Sequence, residues 1–163
     1  MLLDQRGLAI PAETELLLML AARAAFVREV VTPALEAGVV MIADRFEYST
    51  FVYQGMARDL GVDVVRQLNS FATGGVSPDL TVVLDLPADE GLERQRQEGK
   101  EQDRIEGEGA GFLERVRMGY RELAERDPRA EIVEGGGEPG EVLGAIVRLL
   151  RTRFPEPFAR ATG

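Results

Sequence analysis

Apolar residues recur at helical spacing from Glu13 to Glu36 (Leu16, Leu17, Leu20, Ala24, Val31, Leu35). That pattern predicts an amphipathic helix starting near Pro11 or Thr14 and stopped by Gly38. Pro33 falls inside it and is expected to kink it or mark a weak turn, having no N–H to give and a ring that crowds the preceding turn. Val39-Val40-Met41-Ile42-Ala43 is an unbroken apolar run of the kind found in strands covered on both faces. Asp44 and Arg45 follow where such a strand would end. A helix-compatible stretch continues through Tyr53, Gly55 and Gly61 punctuate the chain, and Val62 to Ala72 is helical again. Ser77-Pro78-Asp79 leads into a second buried strand, Leu80 to Leu86, closed by Pro87. Asp89 caps a helix reaching about Glu98, and a polar, glycine-containing stretch runs from Glu98 to Gly111. An amphipathic helix (Phe112 to Arg126), a third strand (Ala130 to Val133), the Gly135-Gly136-Gly137 loop and a last helix from Pro139 to about Phe154 complete the series. Proline suits the first turn of that last helix. Pro155 and Pro157 mark a frayed tail.

Strands alternating with helices predict an α/β fold, a parallel sheet with right-handed crossovers and helices on both faces. No repeat and no linker interrupts the chain, so residues 1–163 read as one domain. Three strands are thin for a class whose ligands bind beyond the carboxyl ends of several. The opening Met1-Leu2-Leu3-Asp4 reads like the end of an element without its beginning, so N-terminal strands are expected to be missing.

Composition removes whole classes of chemistry. With 45% apolar and 29% charged residues in a 163-residue chain, one continuous core is attainable. No apolar run approaches the roughly 18 residues that cross a bilayer, and no basic segment precedes a signal-like core, so no membrane partner is expected. There are no cysteines, hence no disulfide and no thiolate metal site. There are no histidines, which excludes Ser-His-Asp hydrolysis, His-ligated zinc and a histidine general base. Nineteen basic against 28 acidic residues give a net charge of −9, which argues against non-specific nucleic-acid binding. Lys100 is the single lysine, so nearly all positive charge is guanidinium. Arginine is the better fork for phosphate, although a GC-rich genome yields the same bias and weighs more for the total count.

The most informative stretch is VVMIADRFEYSTFVYQG, Val39 to Gly55. A buried strand ending in Asp44-Arg45 delivers a carboxylate and a guanidinium to the ligand-binding edge of a parallel sheet. The carboxylate can hold water around Mg²⁺, and the guanidinium can fork onto a phosphate. An isolated Asp-Arg pair reads more readily as a local cap with a surface ion pair. The fuller pattern, D-R-[aromatic]-x-x-S-x-x-x-Y-Q-G, resembles the signature of the thymidylate kinase family. Upstream, ETELLLMLAARAAFVREVVTPALEAG is similar to the family helix whose aromatic residue and arginine, four positions apart, face the thymine. PDLTVVLDLP resembles the next family strand, GLERQRQEG with DRIE resembles the lid of bacterial members, and EIVEGGGEPGEV resembles the last strand and the loop beside adenine. The resemblance spans essentially the whole chain in order.

It implies a P-loop nucleoside-monophosphate-kinase fold and the reaction ATP + dTMP → ADP + dTDP with Mg²⁺. Carried over by position, Arg45 grips the acceptor phosphate, Asp44 sits near Mg²⁺ and Arg23 donates to the thymine O4 edge. Thr50, with Ser49 beside it, reads the base, while Tyr53 packs under the deoxyribose and Gln54 lines the same pocket. Gly136 and Gly137 lie by the adenine. In a lid of approximately residues 94–111, Arg94, Arg96 and Arg104 contact ATP, and Arg104 of Asp103-Arg104-Ile105-Glu106 closes over the γ-phosphate. Each residue also has a plainer reading: Arg23 as a solvated helix charge, Tyr53 as a half-buried core ring, and Arg94 and Arg96 as a charged face alternating with Glu93 and Glu98. The resemblance further implies a cytoplasmic homodimer packed through Phe26, Val30 and Leu68. Two departures stand out. Met19 occupies the stacking position that many members fill with phenylalanine; a thioether covers a base more loosely than a ring. The motif G-x-x-x-x-G-K-[ST] is absent, about 50 residues short of a usual domain by comparison. Residues 1–163 alone are therefore expected to show no turnover. The rival readings are a non-catalytic nucleotide-binding remnant and a related deoxynucleoside kinase.

Overall fold

A computed structural model describes residues 10–97 and 109–158. Helix α1 (Ala12–Phe26) runs into a π-helical turn, Val27–Val31, and continues as α2 (Thr32–Glu36). Pro33 explains the wide turn. It cannot donate to a carbonyl one turn back, and its ring needs room there; the widened spacing, with the Thr32 N–H reaching the Val27 carbonyl, supplies it. The proline therefore modulates the helix without ending it.

Helix α3 (Glu47–Thr50) likewise widens into a π-helical segment, Phe51–Ala57, and α4 (Val62–Thr73) follows. Strand β1 (Thr81–Asp85), α5 (Ala88–Gln97), α6 (Ala110–Arg126), β2 (Ala130–Glu134), α7 (Pro139–Arg153) and the short α8 (Pro155–Phe158) complete the order. The strands β1 and β2 are parallel, with Thr81 opposite Ala130 and Asp85 opposite Glu134. The second and third strands and helices α4 to α7 thus fall where the sequence pattern places them, whereas the tail expected to fray at Pro155 and Pro157 forms the short α8.

The first expected strand does not form. Val39 to Ala43 has no ladder partner among the described residues, and Val39, Val40 and Ile42 are 52%, 52% and 81% exposed. A strand exists through hydrogen bonds to a neighbour, and an apolar run cannot supply that neighbour by itself. The described sheet therefore has two strands, not three.

The core gathers Leu16 and Leu20 of α1, Tyr48, Phe51 and Val52, Val65 of α4, Val83 of β1, and Phe112, Val116 and Leu123 of α6. Helix α6 lies unusually close to the π-helical segment because Gly119 has no side chain: a Cβ there would meet Met56 Sδ at 2.9 Å and Val52 Cγ1 at 3.0 Å.

At the carboxyl end of β1, the buried carboxylate of Asp85 holds α6 to the sheet. Arg117 donates to both of its oxygens at 2.8 and 3.0 Å, and Arg121 adds a bond of 2.6 Å. The Arg117 hydrogen bonds, aided by Arg121 and opposed by burial, hold the Asp85 carboxyl below the ordinary range. A depressed carboxyl pKa stabilises the fold above the unfolded value, about 4, and that stability disappears as pH falls through the lower folded value. Asp85→Ala is expected to cost about 2 kcal/mol at pH 7, in the range of charge-assisted hydrogen bonds and less than for a fully buried pair, since both arginines reach solvent. Urea unfolding of both proteins at pH 7 and near pH 2 checks this: the gap in stability should shrink in acid, and an unchanged gap would refute it.

Candidate functional site

Residues 44 and 45 turn the chain from the exposed apolar segment into α3. Arg45 does so with a left-handed backbone, φ +62°. A side chain in that region costs about 1–3 kcal/mol and persists only where its surroundings require it. The guanidinium lies 5.7 Å from the centre of the Tyr53 ring. Desolvation works against its charge, but Tyr53, Tyr120 and Asp44 more than offset this, so its pKa is raised. Tyr53 packs at 6.3 Å from the Phe112 ring and edge-on at 6.4 Å from Tyr120. Ser49 Oγ and the Tyr120 hydroxyl are 2.8 Å apart, and burial raises the tyrosine's pKa. Arg45, Ser49 and Tyr53 thus meet around a ring from α6.

Tyr120 escaped the sequence reading. Within its helix it is one more aromatic in an amphipathic pattern, and nothing in local spacing ties it to Ser49, 71 residues away. The available signal was Gly119, whose missing side chain lets α6 approach.

Arg23 forms a second centre. Its guanidinium donates to Asn69 Oδ1 at 2.8 Å and to the Phe46 carbonyl at 2.9 Å, and lies 5.3 Å from the Phe46 ring centre. Asn69 in turn donates to Glu47 Oε2 at 3.1 Å. Desolvation lowers the Arg23 pKa, partly offset by Glu47. Met19 lies half-buried one turn before Arg23. Because Phe46 directly follows Arg45, its carbonyl joins the two arginine centres.

Other expected site residues are distributed differently. Asp44 is exposed at the turn, and Thr50 is buried. Gln54 is also buried, donating to Glu15 Oε1 at 2.7 Å, so its amide is engaged in the core. Arg94 grips the loop after β2, donating to the carbonyls of Gly135 and Gly136 at 3.0 and 2.8 Å. That brings together two residues expected near ATP, with Gly137 following in the same loop. Arg96 is exposed beside Glu93 at 3.5 Å, as its charged-face reading expects. Arg104 and the lid residues 98–108 lie outside the described residues.

A cleft of about 710 Å³ adjoins the Arg23 centre through Glu47 and Asn69 and runs between α4 and the end of α6. Its arginines, Arg66, Arg126 and Arg129, alternate with Asp63, Glu122 and Asp127, so no sign of charge dominates.

The arrangement offers a guanidinium over an aromatic floor and, joined to it by one carbonyl, a second guanidinium held against the backbone. Such a site suits an anionic molecule with a planar, carbonyl-bearing ring. Without histidine or cysteine, its chemistry is that of position and charge.

Comparison with known proteins narrows this. A family model described as thymidylate kinase matches residues 2–146. The thymidylate kinase of Desulfovibrio desulfuricans is 44% identical over 164 aligned residues, covering 94% of this chain and 76% of that protein. That of Lactobacillus delbrueckii subsp. bulgaricus is 39% identical, covering 96% of this chain and 75% of its own length. The Kosmotoga olearia thymidylate kinase is 50% identical over 124 residues, 76% of this chain and 59% of that protein. With relatives this similar over so much of its length, the chain belongs to the thymidylate kinase family.

Proposed function

We propose that this single domain takes part in phosphoryl transfer from ATP to dTMP, giving ADP and dTDP, in the cytoplasm. One observation supports the reading above the others. Arg23 donates to the carbonyl of Phe46, the residue next to Arg45, so two guanidiniums suited to the two ends of a nucleoside monophosphate are held at one turn of the chain. On this reading, Arg45 forks onto the dTMP phosphate, Tyr53 supports the sugar over the Phe112 and Tyr120 rings, and Arg23 donates to the thymine O4 beside Met19. Ser49 reaches the pocket through Tyr120. Thr50 and Gln54, both buried, act from behind the base site, Gln54 by pairing with Glu15.

Asp44 is the residue placed for Mg²⁺. Mg²⁺ in such sites is held by one or two carboxylates, water and the substrates' own phosphates, and Asp44 would supply the carboxylate. When bound, such an ion neutralises charge developing on the transferred group. Arg94 contributes by holding the Gly135–Gly137 loop for the adenine, Arg96 belongs to the charged face of α5, and Arg104 closes over the γ-phosphate.

Calorimetry on residues 1–163 tests the substrate reading. dTMP should bind weakly, UMP more weakly because its 2′-hydroxyl meets Tyr53, and AMP not at all. Equal binding of AMP and dTMP would overturn it.

Two copies pair through helix faces left uncovered within one chain. Phe26 of α1 and Val30 of the π-helical turn are exposed, as are Val64, Leu68 and Phe71 of α4, spaced as one helical stripe, with Phe71 at 89%. Sedimentation at micromolar concentration should give a dimer that Phe71→Asp converts to monomer; a monomeric parent protein would count against the pairing.

A further inference from the structure

We propose that Asn69, a residue of α4, sets the base preference of this site by fixing the orientation of Arg23. The inference rests on the reading that Arg23 donates to the O4 edge of thymine.

The hydrogen-bond chemistry leaves the Asn69 amide one orientation. Arginine can only donate, so Oδ1 must face Arg23; the Glu47 carboxylate accepts, so Nδ2 must face Glu47. Asn69 and Glu47 are 2% and 7% exposed, so each has most of its surface against the protein, although both border the cleft beside α4. The Phe46 carbonyl holds a second nitrogen of the same fork. With two N–H groups held by neutral oxygens, the guanidinium plane is fixed. Its other N–H groups have no hydrogen-bond acceptor among the described residues.

The placement of charge matters as much as the geometry. Glu47 is the carboxylate whose charge acts on Arg23, but it does so across Asn69. A carboxylate in direct contact would take the fork in two parallel bonds and leave little for a ligand. An interposed amide passes on the orientation while leaving donors available. A guanidinium held this way meets an acceptor well and a donor badly. Thymine presents an acceptor at O4 where cytosine presents the N4 amino donor. A fixed fork therefore discriminates between dTMP and dCMP, whereas a mobile one rotates away from the mismatch and loses much of that discrimination.

The test is calorimetric titration of the chain with dTMP and with dCMP, read as the ratio of the two affinities, with thermal melts recorded alongside. Asn69→Ala should lower the dTMP:dCMP ratio about tenfold, the loss of one hydrogen bond to a charged group. Asn69→Asp puts a carboxylate directly on Arg23 and should weaken dTMP binding as well as lower the ratio, because the carboxylate takes the fork in paired bonds. In an Arg23→Ala background, Asn69→Ala should change the ratio no further, because the two residues act as one unit. Should Asn69→Ala fail to fold, Glu47→Leu removes the acceptor that orients the amide and should lower the ratio in the same direction. A ratio unchanged by Asn69→Ala, or lowered further by Asn69→Ala in the Arg23→Ala background, overturns the proposal while leaving the Arg23 reading intact. A ratio unchanged by Arg23→Ala alone overturns both.

Discussion

Arg45→Ala should weaken dTMP binding by about 100-fold and leave the binding of thymidine, which has no phosphate, nearly unchanged. A guanidinium forking onto a phosphate makes two charge-assisted hydrogen bonds, each worth roughly 1.5–3 kcal/mol. Arg45 is exposed, which places the loss at the low end of that range. Arg45→Lys should recover little, since an ammonium is a point charge without the planar fork. The backbone supplies a further check. At φ +62° Arg45 sits where glycine is at ease and other residues are strained. Arg45→Gly should accordingly unfold at higher urea than the parent chain while binding dTMP as poorly as Arg45→Ala. A variant that gains stability as it loses ligand identifies strain kept for function. Thymidine affinity falling as far as dTMP affinity would show that Arg45 supports the pocket rather than the phosphate.

How far the sequence disclosed this molecule depends on where each signal lies. Helices announce themselves locally through period and termini, and α4 and α7 begin and end within a residue or two of the pattern. The strands β1 and β2 were legible because their apolar runs are bounded by Pro87 and by Asp127-Pro128. The Val39–Ala43 run has the same local appearance but no ladder partner among the described residues, and composition carries no information about the partner. The site divides the same way. Asp44 to Gln54 was legible as one contiguous motif. Tyr120 and Asn69 were not, because they meet Ser49 and Arg23 only through contacts across 71 and 46 residues. Arg94 shows the opposite case. Its acidic neighbours suggested a solvated charge, yet two carbonyls of the Gly135-Gly136 loop hold it.

That division separates Arg94 from Arg104 in their expected effects on catalysis. Arg104→Ala should lower kcat by on the order of 10³-fold, as with other arginines that meet a transferring phosphoryl group, while changing dTMP affinity little. The residues 1–163 contain no G-x-x-x-x-G-K-[ST] loop, so the measurement is made on a protein in which a relative's phosphate-binding segment precedes Met1. An arginine that reaches the γ-phosphate only as a lid closes stabilises charge in the transition state. Its loss therefore appears in kcat and not in ground-state binding of the acceptor. Arg94→Ala is the matched comparison. Arg94 already spends its fork on two backbone carbonyls, so it is poorly placed to meet a phosphate, and its loss should loosen the adenine loop instead. That variant should raise the KM for ATP severalfold with kcat nearly preserved. A larger kcat loss in Arg94→Ala than in Arg104→Ala would reverse the assignment within the lid. An unchanged kcat in both would place the transfer chemistry on other residues.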